Sequence, residues 1–311
     1  MGYRSPFDQW DEKAAVRTMP ATDRRWAPDA EGSWFGAESW SAANHPEVLA
    51  SGRRQQVLAA LLLGYLDFTL QLETHHIAPV SRDLVLRRLG ADYADAVVRD
   101  ALRVQCDEAF HGLFCEELAA HVAQVTGLQR EPFPEHLFFR RVRELAAPAC
   151  GPMSAPQYQF CVAVVAETVI TDSLRKDWRG EDLRPEVRHV LLQHYKDEAR
   201  HSTFFSQVLQ LVWPQWPERV RAAMSPLWAE LVRAFLAVDE ALVARALELA
   251  GFSPAQARRI VAGTADGGTP GERGASISLT LKALRRAGVL RAAGPAAGAG
   301  ERRPELAEVS R

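Results

Sequence analysis

The chain has few of the features that mark secreted or nucleic-acid-binding proteins. Only four of its 311 residues are cysteines, and no two of them have CxxC spacing. We therefore expect reduced core thiols in a cytoplasmic protein rather than a disulfide framework. The formal net charge of −2 favours neither nucleic acid nor an anionic membrane as a partner.

The sequence also lacks a long hydrophobic run. Its first ten residues, MGYRSPFDQW, contain no apolar core of a signal peptide. The most apolar stretch, residues 57–70, is too short to cross a bilayer and includes Asp67. These absences predict a cytoplasmic protein without a membrane partner.

Helical periodicity dominates residues 46–290, and no convincing run of alternating strand residues occurs. We expect Pro79 to end the first long helix. The predicted long helices cover roughly 47–76, 84–126, 155–178, 184–213 and 217–250, with shorter helices near 134–147, 254–263 and 276–288. The sequence thus predicts one all-α domain over residues 46–290.

The two ends differ from this domain in composition. Residues 1–45 carry four tryptophans among prolines and glycines, which predicts an irregular arm packed over the domain. Residues 291–311 are rich in alanine, glycine and charged residues, and are predicted to form a disordered tail.

Ionisable residues interrupt the apolar stripe of the predicted helix 184–213. His194, Glu198 and His201 stand at positions i, i+4 and i+7, so they share one helical face. Asp197 and Arg200, which lie between them, are expected to point to the surface. Because burying an isolated carboxylate is costly unless it is paired or bound to a cation, the stripe indicates a buried ionic site.

Three other predicted helices carry the same kind of interruption. Glu108 and His111 form a Glu-x-x-His motif, while Glu73 and Glu167 each stand alone on an apolar face. Two helices with one glutamate and two with Glu-x-x-His form the pattern of di-iron or di-manganese carboxylate bundles. The pattern predicts a ferritin-like four-helix-bundle core, whose four carboxylates can offset the charge of two divalent ions.

His194 is additional to that six-ligand pattern, and could be a ligand or a hydrogen-bond donor to a ligand carboxylate. With it, the last motif becomes His-x-x-x-Glu-x-x-His, and over residues 60–210 the sequence resembles the p-aminobenzoate N-oxygenases. Members of that family are non-haem di-iron enzymes that oxidise arylamines to hydroxylamine, nitroso or nitro products. The resemblance implies seven iron ligands: Glu73, Glu108, His111, Glu167, His194, Glu198 and His201.

The resemblance also implies the reaction and its cofactors. It predicts two iron ions, O2 as co-substrate, an external reductase or ferredoxin as electron donor, and a homodimer. Oxidation of the amine would proceed through a peroxo-diferric intermediate, and the imidazole of His194 would have the catalytic role of tuning it. The amine is an arylamine by the family's example, although an alkylamine stays open.

Other residues near the motifs have weaker assignments. His76 makes a third Glu-x-x-His with Glu73, but the family has no ligand there, so we expect it behind the metal ligands or at the end of its helix rather than on the metals. Tyr65, two turns before Glu73, is either a substrate-pocket wall or a core tyrosine. Arg273, in a glycine-rich loop, either binds a substrate carboxylate or is solvated.

Three other functions share parts of this pattern. A di-iron C-hydroxylase or desaturase would use the same scaffold, and only its product would distinguish it. A ferritin-like iron-storage protein agrees less well with the long chain, the tryptophan-rich arm and the seventh ligand. A ribonucleotide reductase radical subunit would need a tyrosine near the second motif, where the chain has Phe110, Leu113 and Phe114.

Overall fold

A computed structural model describes residues 2–19, 26–36, 40–149, 151–180, 182–265 and 277–290. Over these ranges the protein is all-α, as predicted, and its only extended pairing is an isolated bridge between Ser33 and Leu183. The α-helices are Trp10–Lys13 (α1), Ala15–Thr18 (α2), Pro46–Ser51 (α3), Arg54–Leu72 (α4), Ala78–Val85 (α5), Asp95–Thr126 (α6), Leu137–Ala149 (α7), Ala155–Asp177 (α8), Pro185–Val212 (α9), Glu218–Met224 (α10), Leu227–Leu236 (α11), Glu240–Leu249 (α12), Pro254–Ala265 (α13) and Ser278–Arg286 (α14).

Four long helices form the core, which confirms the predicted ferritin-like bundle. Helix α8 packs along α9, α4 packs along α6, and α6 also contacts α9. Apolar side chains such as Leu58, Leu62, Phe160 and Phe205 are fully buried between them. Burying each of these stabilises the fold by about 1.5–3 kcal/mol, which outweighs the cost of a few polar groups in the same core.

Local sequence signals set the ends of the core helices. Ser154 caps α8 in a capping box with Gln157, and Pro156 occupies its second position. Helix α6 ends at Gly127, which adopts a left-handed conformation with φ of 73°.

Pro79 does not end the first long helix, contrary to the prediction. Residues Glu73–Ile77 form a π-helical turn, in which the Ala78 amide donates to the carbonyl of Glu73, and α5 follows directly. The wider turn accommodates Pro79, whose ring would clash with the carbonyl four residues earlier in a regular α-helix. The combined stretch Arg54–Val85 is long and apolar enough to cross a membrane, but 67% of its most apolar window is buried inside the bundle.

Two other predicted helix boundaries are also wrong. The helix predicted from residue 84 begins at Asp95, because Arg87 and Gly90 adopt positive φ angles in a turn. The helix predicted over 217–250 is divided into α10, α11 and α12. Pro226 interrupts it once, and Asp239 then starts α12 by accepting a hydrogen bond from the Leu242 amide.

The described parts of the first 45 residues contain two single-turn helices and a 3₁₀ turn at Ser41–Asn44 within irregular chain. Trp34 is buried, with the Arg184 guanidinium 4.1 Å from its ring centre. Gly32 adopts a φ of 122° and lies so close to the backbone of Arg184 that a Cβ atom would clash. This part of the arm is therefore fixed to the beginning of α9.

The predictions for the cysteines and the tail have mixed outcomes. Cys115 and Cys161 are buried thiols as expected, whereas Cys106 is exposed on α6, so the expectation of a core thiol is wrong there. Cys150 and the predicted tail at 291–311 lie outside the described residues.

Candidate metal centre

The structure brings together all seven residues that the sequence singled out as ligands. Glu73 comes from the π turn after α4, Glu167 from α8, and the rest from α6 and α9. Each of the seven is at most 1% exposed. Their donor atoms form three overlapping groups whose members lie within 4.8 Å of one another: Glu73, His111, His194 and Glu198; Glu108, His111, Glu198 and His201; and Glu73, Glu108 and Glu167. We call these seven residues the carboxylate–histidine cluster.

The two Glu-x-x-His motifs face each other across α6 and α9. His201 Nδ1 lies 2.9 Å from Glu108 Oε1 and 3.3 Å from Glu198 Oε1. His111 Nδ1 lies 3.3 Å from an oxygen of each of the same two glutamates. Glu108 and Glu198 therefore lie within reach of both histidines.

His194, one turn before Glu198 on α9, also contacts glutamates of the cluster. Its Nε2 atom lies 3.2 Å from Glu198 Oε1 and 3.4 Å from Glu73 Oε1. His76 points elsewhere, because its ring stacks on Phe139 at 5.1 Å and its Nδ1 lies 3.2 Å from the side-chain oxygen of Gln159. His76 belongs to none of the three donor groups.

The four buried carboxyl groups divide into two pairs with opposite pKa shifts. Burial raises the pKa of Glu73 and of Glu167 well above the ordinary value, and neighbouring carboxylates raise both further. Burial also raises the pKa of Glu108, but the charge of His201 and hydrogen bonds outweigh it and hold that pKa at about 2. For Glu198, burial is likewise outweighed by His201, and its pKa lies well below the ordinary value.

The three imidazoles divide in the same way. Burial lowers the pKa of His111, but its contacts with Asp197 and Glu108 outweigh this and raise it to about 10. Burial is also outweighed at His201, where Glu108 and Glu198 raise the pKa well above its ordinary value. The pKa of His194 is lowered, by burial and by the charge of His111. The raised pKa values favour protons on Glu73, Glu167, His111 and His201, and bound metal ions would displace such protons.

The buried donor atoms of the cluster are of the kinds that bind divalent cations. Seven of the cluster's buried oxygen and nitrogen atoms make no well-oriented hydrogen bond within the described part of the chain, although several lie within 3.4 Å of one another. Buried polar atoms are normally paired, so a group of such atoms close together indicates a missing cationic partner. Mixed imidazole and carboxylate donors suit iron or manganese. These atoms are Glu73 Oε2, Glu108 Oε1, Glu167 Oε2, His194 Nε2, Glu198 Oε1 and Oε2, and His201 Nδ1.

Two functional residues were missed by the sequence analysis. Asp197, which was expected at the surface, is fully buried and accepts a hydrogen bond from His111 Nε2 at 3.2 Å. Asp107 does the same for His201 Nε2 at 3.1 Å. Each aspartate directly precedes the glutamate of one motif and binds the histidine of the other. The repeated Asp-Glu-x-x-His spacing was a signal that could have identified them.

A cavity of about 430 Å³ is lined in part by α4 and α8, the helices that lead to Glu73 and carry Glu167, and none of the seven cluster residues is in its wall. Its wall includes Ile170, one turn beyond Glu167, and Tyr65, two turns before Glu73. Burial raises the pKa of Tyr65 well above its ordinary value, so the hydroxyl keeps its proton. The aromatic residues of the wall are Phe35, Trp40, Tyr65, Phe68, Phe138 and Phe235. Arg273, the other predicted pocket residue, lies outside the described residues.

Fold and cluster together define a helical-bundle protein with a buried site able to hold metal ions. The family model described as p-aminobenzoate N-oxygenase AurF matches residues 5–268, which is most of the chain. The chain therefore belongs to the p-aminobenzoate N-oxygenase family, as the motifs predicted. A search of curated proteins found no match.

Proposed function

We propose that this protein is an O2-dependent di-iron N-oxygenase that adds oxygen to the nitrogen of an arylamine. Membership of the p-aminobenzoate N-oxygenase family supports the reaction class. The observation that carries the proposal is the third imidazole, because His194 Nε2 lies within 3.4 Å of both Glu198 and Glu73 inside the cluster. A plain six-ligand bundle has no such group.

Each of the seven cluster residues would hold iron in this proposal. Glu108 and Glu198, which lie within reach of both motif histidines, would hold metal beside them. Glu73 and His194 would bind on one side, and Glu167 would bind near His201, whose Nδ1 is 3.9 Å from its carboxylate. Two bound iron ions would supply the redox chemistry that activates O2, which no protein side chain can supply.

The cavity beside α4 and α8 is the proposed amine-binding site. Aromatic side chains form much of its wall, which favours a flat apolar substrate over a strongly hydrated one. An amine reacts through its lone pair, so it must be unprotonated. The wall also carries Lys176, Asp177, Asp239 and Glu240, so it does not by itself exclude an ammonium ion. Arylamines are far less basic than alkylamines and are unprotonated near neutral pH without help from the protein, and this supports the aryl class.

Residues of the cavity wall would hold the amine in position. Tyr65 retains its proton and can donate a hydrogen bond, while Ile170 and Phe68 exclude water from the side of the cluster. Formation of a hydroxylamine would transfer one oxygen atom to nitrogen and release the other as water, and would consume two electrons and two protons. We propose a reductase or ferredoxin as the source of the electrons.

A single-turnover experiment tests this proposal. Purified protein is loaded with two ferrous ions per chain, exposed to O2, and given a panel of aryl and alkyl amines that includes p-aminobenzoate. We expect an arylamine to gain one oxygen atom on nitrogen, detected by mass spectrometry with ¹⁸O2.

Other outcomes would assign the protein to one of the rival functions. Hydroxylation or desaturation at carbon would identify a different di-iron oxidase on the same scaffold. Continued uptake of iron beyond two ions, with a cage-sized particle by mass photometry, would indicate iron storage. Failure to bind iron would contradict the metal centre itself.

A further inference from the structure

The first segment of the N-terminal arm, residues 2–19, lies against the outer side of the carboxylate–histidine cluster. Helix α2 packs against both α6 and α9, the two helices that carry the Glu-x-x-His motifs. Phe7 is 1% exposed, and its ring lies 6.0 Å from that of His201. Ala14 and Ala15 are also buried. This segment therefore separates the motif histidines from solvent.

The same segment makes direct hydrogen bonds to both aspartates beneath it. The Trp10 indole Nε1 donates to Asp107 Oδ1 at 2.8 Å, and the other oxygen of Asp107 accepts from His201. The Ala15 backbone amide donates to Asp197 Oδ2 at 3.1 Å, the oxygen that also accepts from His111. Each motif histidine is thus connected to the arm through one buried carboxylate.

These contacts fix which nitrogen of each imidazole faces the cluster. An ionised carboxylate can only accept hydrogen bonds, so the Nε2 atoms of His111 and His201 carry hydrogen and Nδ1 is left to face the glutamates. Asp107 and Asp197 are both fully buried, and a buried carboxylate with too few donors would move or become neutral. The donors from the arm therefore keep the aspartates, and through them the imidazoles, in place.

We propose that Trp10 and the Ala15 amide are positioning groups of the metal centre, and that residues 2–19 complete the site rather than only covering it. The inference rests on the metal centre proposed above. Asp197 has the Arg200 guanidinium as a further donor, whereas the bonds to Asp107 come from Trp10 and His201. Trp10 should therefore matter more than the Ala15 amide.

Two substitutions remove one donor each, and each is compared with a variant that keeps the donors to both aspartates. Trp10→Phe keeps an aromatic ring on a half-buried residue but removes the indole N–H. Ala15→Pro removes the backbone N–H at the first position of α2, where proline is tolerated, and the preceding Ala14 already has the extended conformation that proline requires. Trp26→Phe is the matched control in the same arm, because Trp26 packs on His121 rather than on the cluster. Ala15→Gly is the control that keeps the amide.

The readout is titration of the full-length metal-free protein with Co²⁺, followed by the ligand-field absorption of the bound ion. We expect Trp10→Phe to weaken Co²⁺ binding by about 10- to 100-fold and to shift the visible bands. Ala15→Pro should weaken it by a smaller factor, and both controls should match the wild type. A segment that only stabilises the fold would change the melting temperature of the metal-free protein and leave the Co²⁺ spectrum unaltered.

Wild-type affinity and spectrum in both Trp10→Phe and Ala15→Pro would overturn the inference. If Trp10→Phe does not fold, Ala15→Pro against Ala15→Gly decides the question alone. If the wild-type protein itself binds no pair of Co²⁺ ions, the proposed metal centre fails. If the wild type binds them and the variants bind equally well, only the role of the arm fails.

Discussion

The two sides of the carboxylate–histidine cluster are built differently. On the side of α6 and α9, each motif histidine is backed by a buried aspartate, and the arm covers both aspartates. On the side of α4 and α8, Glu73 follows α4 in a π turn, Glu167 stands on α8, and an aromatic cavity is lined in part by these two helices. In the proposed function, the first side orients the ligands and the second side gives the substrate access. We call them the histidine side and the cavity side.

The division separates two requirements that conflict within one site. Tight metal binding needs ligands whose orientation is fixed by further hydrogen bonds, as at Asp107 and Asp197. Oxidation of a substrate needs an open approach and ligands that can shift. A π turn at Glu73 is a common feature of functional sites in helices, and it lies on the side where movement would be useful.

The largest loss of metal binding is expected from a substitution of Glu198, which contacts all three imidazoles of the cluster. Glu198→Gln keeps the side-chain volume but removes a charge that contacts His111, His194 and His201. Removing a ligand should exceed the roughly 100-fold loss typical of groups behind the ligands, so we expect the bound metal to fall well below two ions. Metal content after gel filtration measures this. Glu116→Gln, an exposed change on α6, is the control, and two tightly held ions in Glu198→Gln would contradict the assignment.

The second prediction concerns protons on both sides. The pKa values of Glu73 and Glu167 on the cavity side, and of His201 on the histidine side, are raised, and that of His111 is raised to about 10. His111 therefore carries an extra proton near neutral pH, and metal binding should release at least about one proton. Since protons compete with metal, affinity should rise with pH below the pKa of His111, by about tenfold per pH unit for each proton displaced.

Proton release can be measured with an indicator dye during metal titration in weak buffer. His111→Gln should release about one proton fewer than the wild type, and Glu73→Gln, from the cavity side, should also release fewer. Metal binding that is independent of pH between 6 and 8 would show that the cluster is not protonated in this way.

The sequence predicts the bundle and the cluster well because both depend on helical periodicity. Glu73, Glu108 and Glu198 are conspicuous on apolar faces, since any carboxylate there needs a cation or a proton. The same reasoning missed Asp197, because a residue adjacent to a ligand lies off the ligand stripe and reads as a surface position. In the folded protein the arm lies over Asp197 and donates to it from the Ala15 amide, 182 residues away in the sequence. The position of so distant a segment is a tertiary fact that periodicity cannot supply.

The helix breaks show the same limit. Pro79 is ordinarily a reliable stop signal, and only the π turn at Glu73–Ile77 allows the helix to continue. Nothing in residues 73–77 marks such a turn, because a π turn is stabilised by the packing of its neighbours rather than by local preference.

The third prediction distinguishes two histidines that sequence spacing alone does not separate. His194 contacts Glu73 and Glu198, whereas His76 stacks on Phe139 away from the cluster. His194 is a neutral ligand with two cluster contacts, unlike Glu198, and its removal leaves all four carboxylates in place. We therefore expect His194→Ala to retain both irons but to lose at least about tenfold in amine oxidation. His76→Ala should retain both properties. Iron content and single-turnover product yield, measured on the same samples, test this, and full activity in His194→Ala would exclude a catalytic role for its imidazole.

The smallest effect is expected from a substitution in the cavity wall, which should weaken amine binding without changing the metal content. Ser173 lies on α8 in the cavity wall and is half-buried, so Ser173→Trp places an indole in the space proposed for the amine. Metal content should stay at the wild-type level, because the change is on the cavity side and contacts no ligand. The KM for the amine should rise about tenfold, in line with the 10- to 200-fold discrimination that small steric changes produce in apolar pockets. Ser173→Ala is the matched control and should behave as the wild type. An unchanged KM in Ser173→Trp would place the amine elsewhere, and the cavity side would then lose its proposed role as the entrance for substrate.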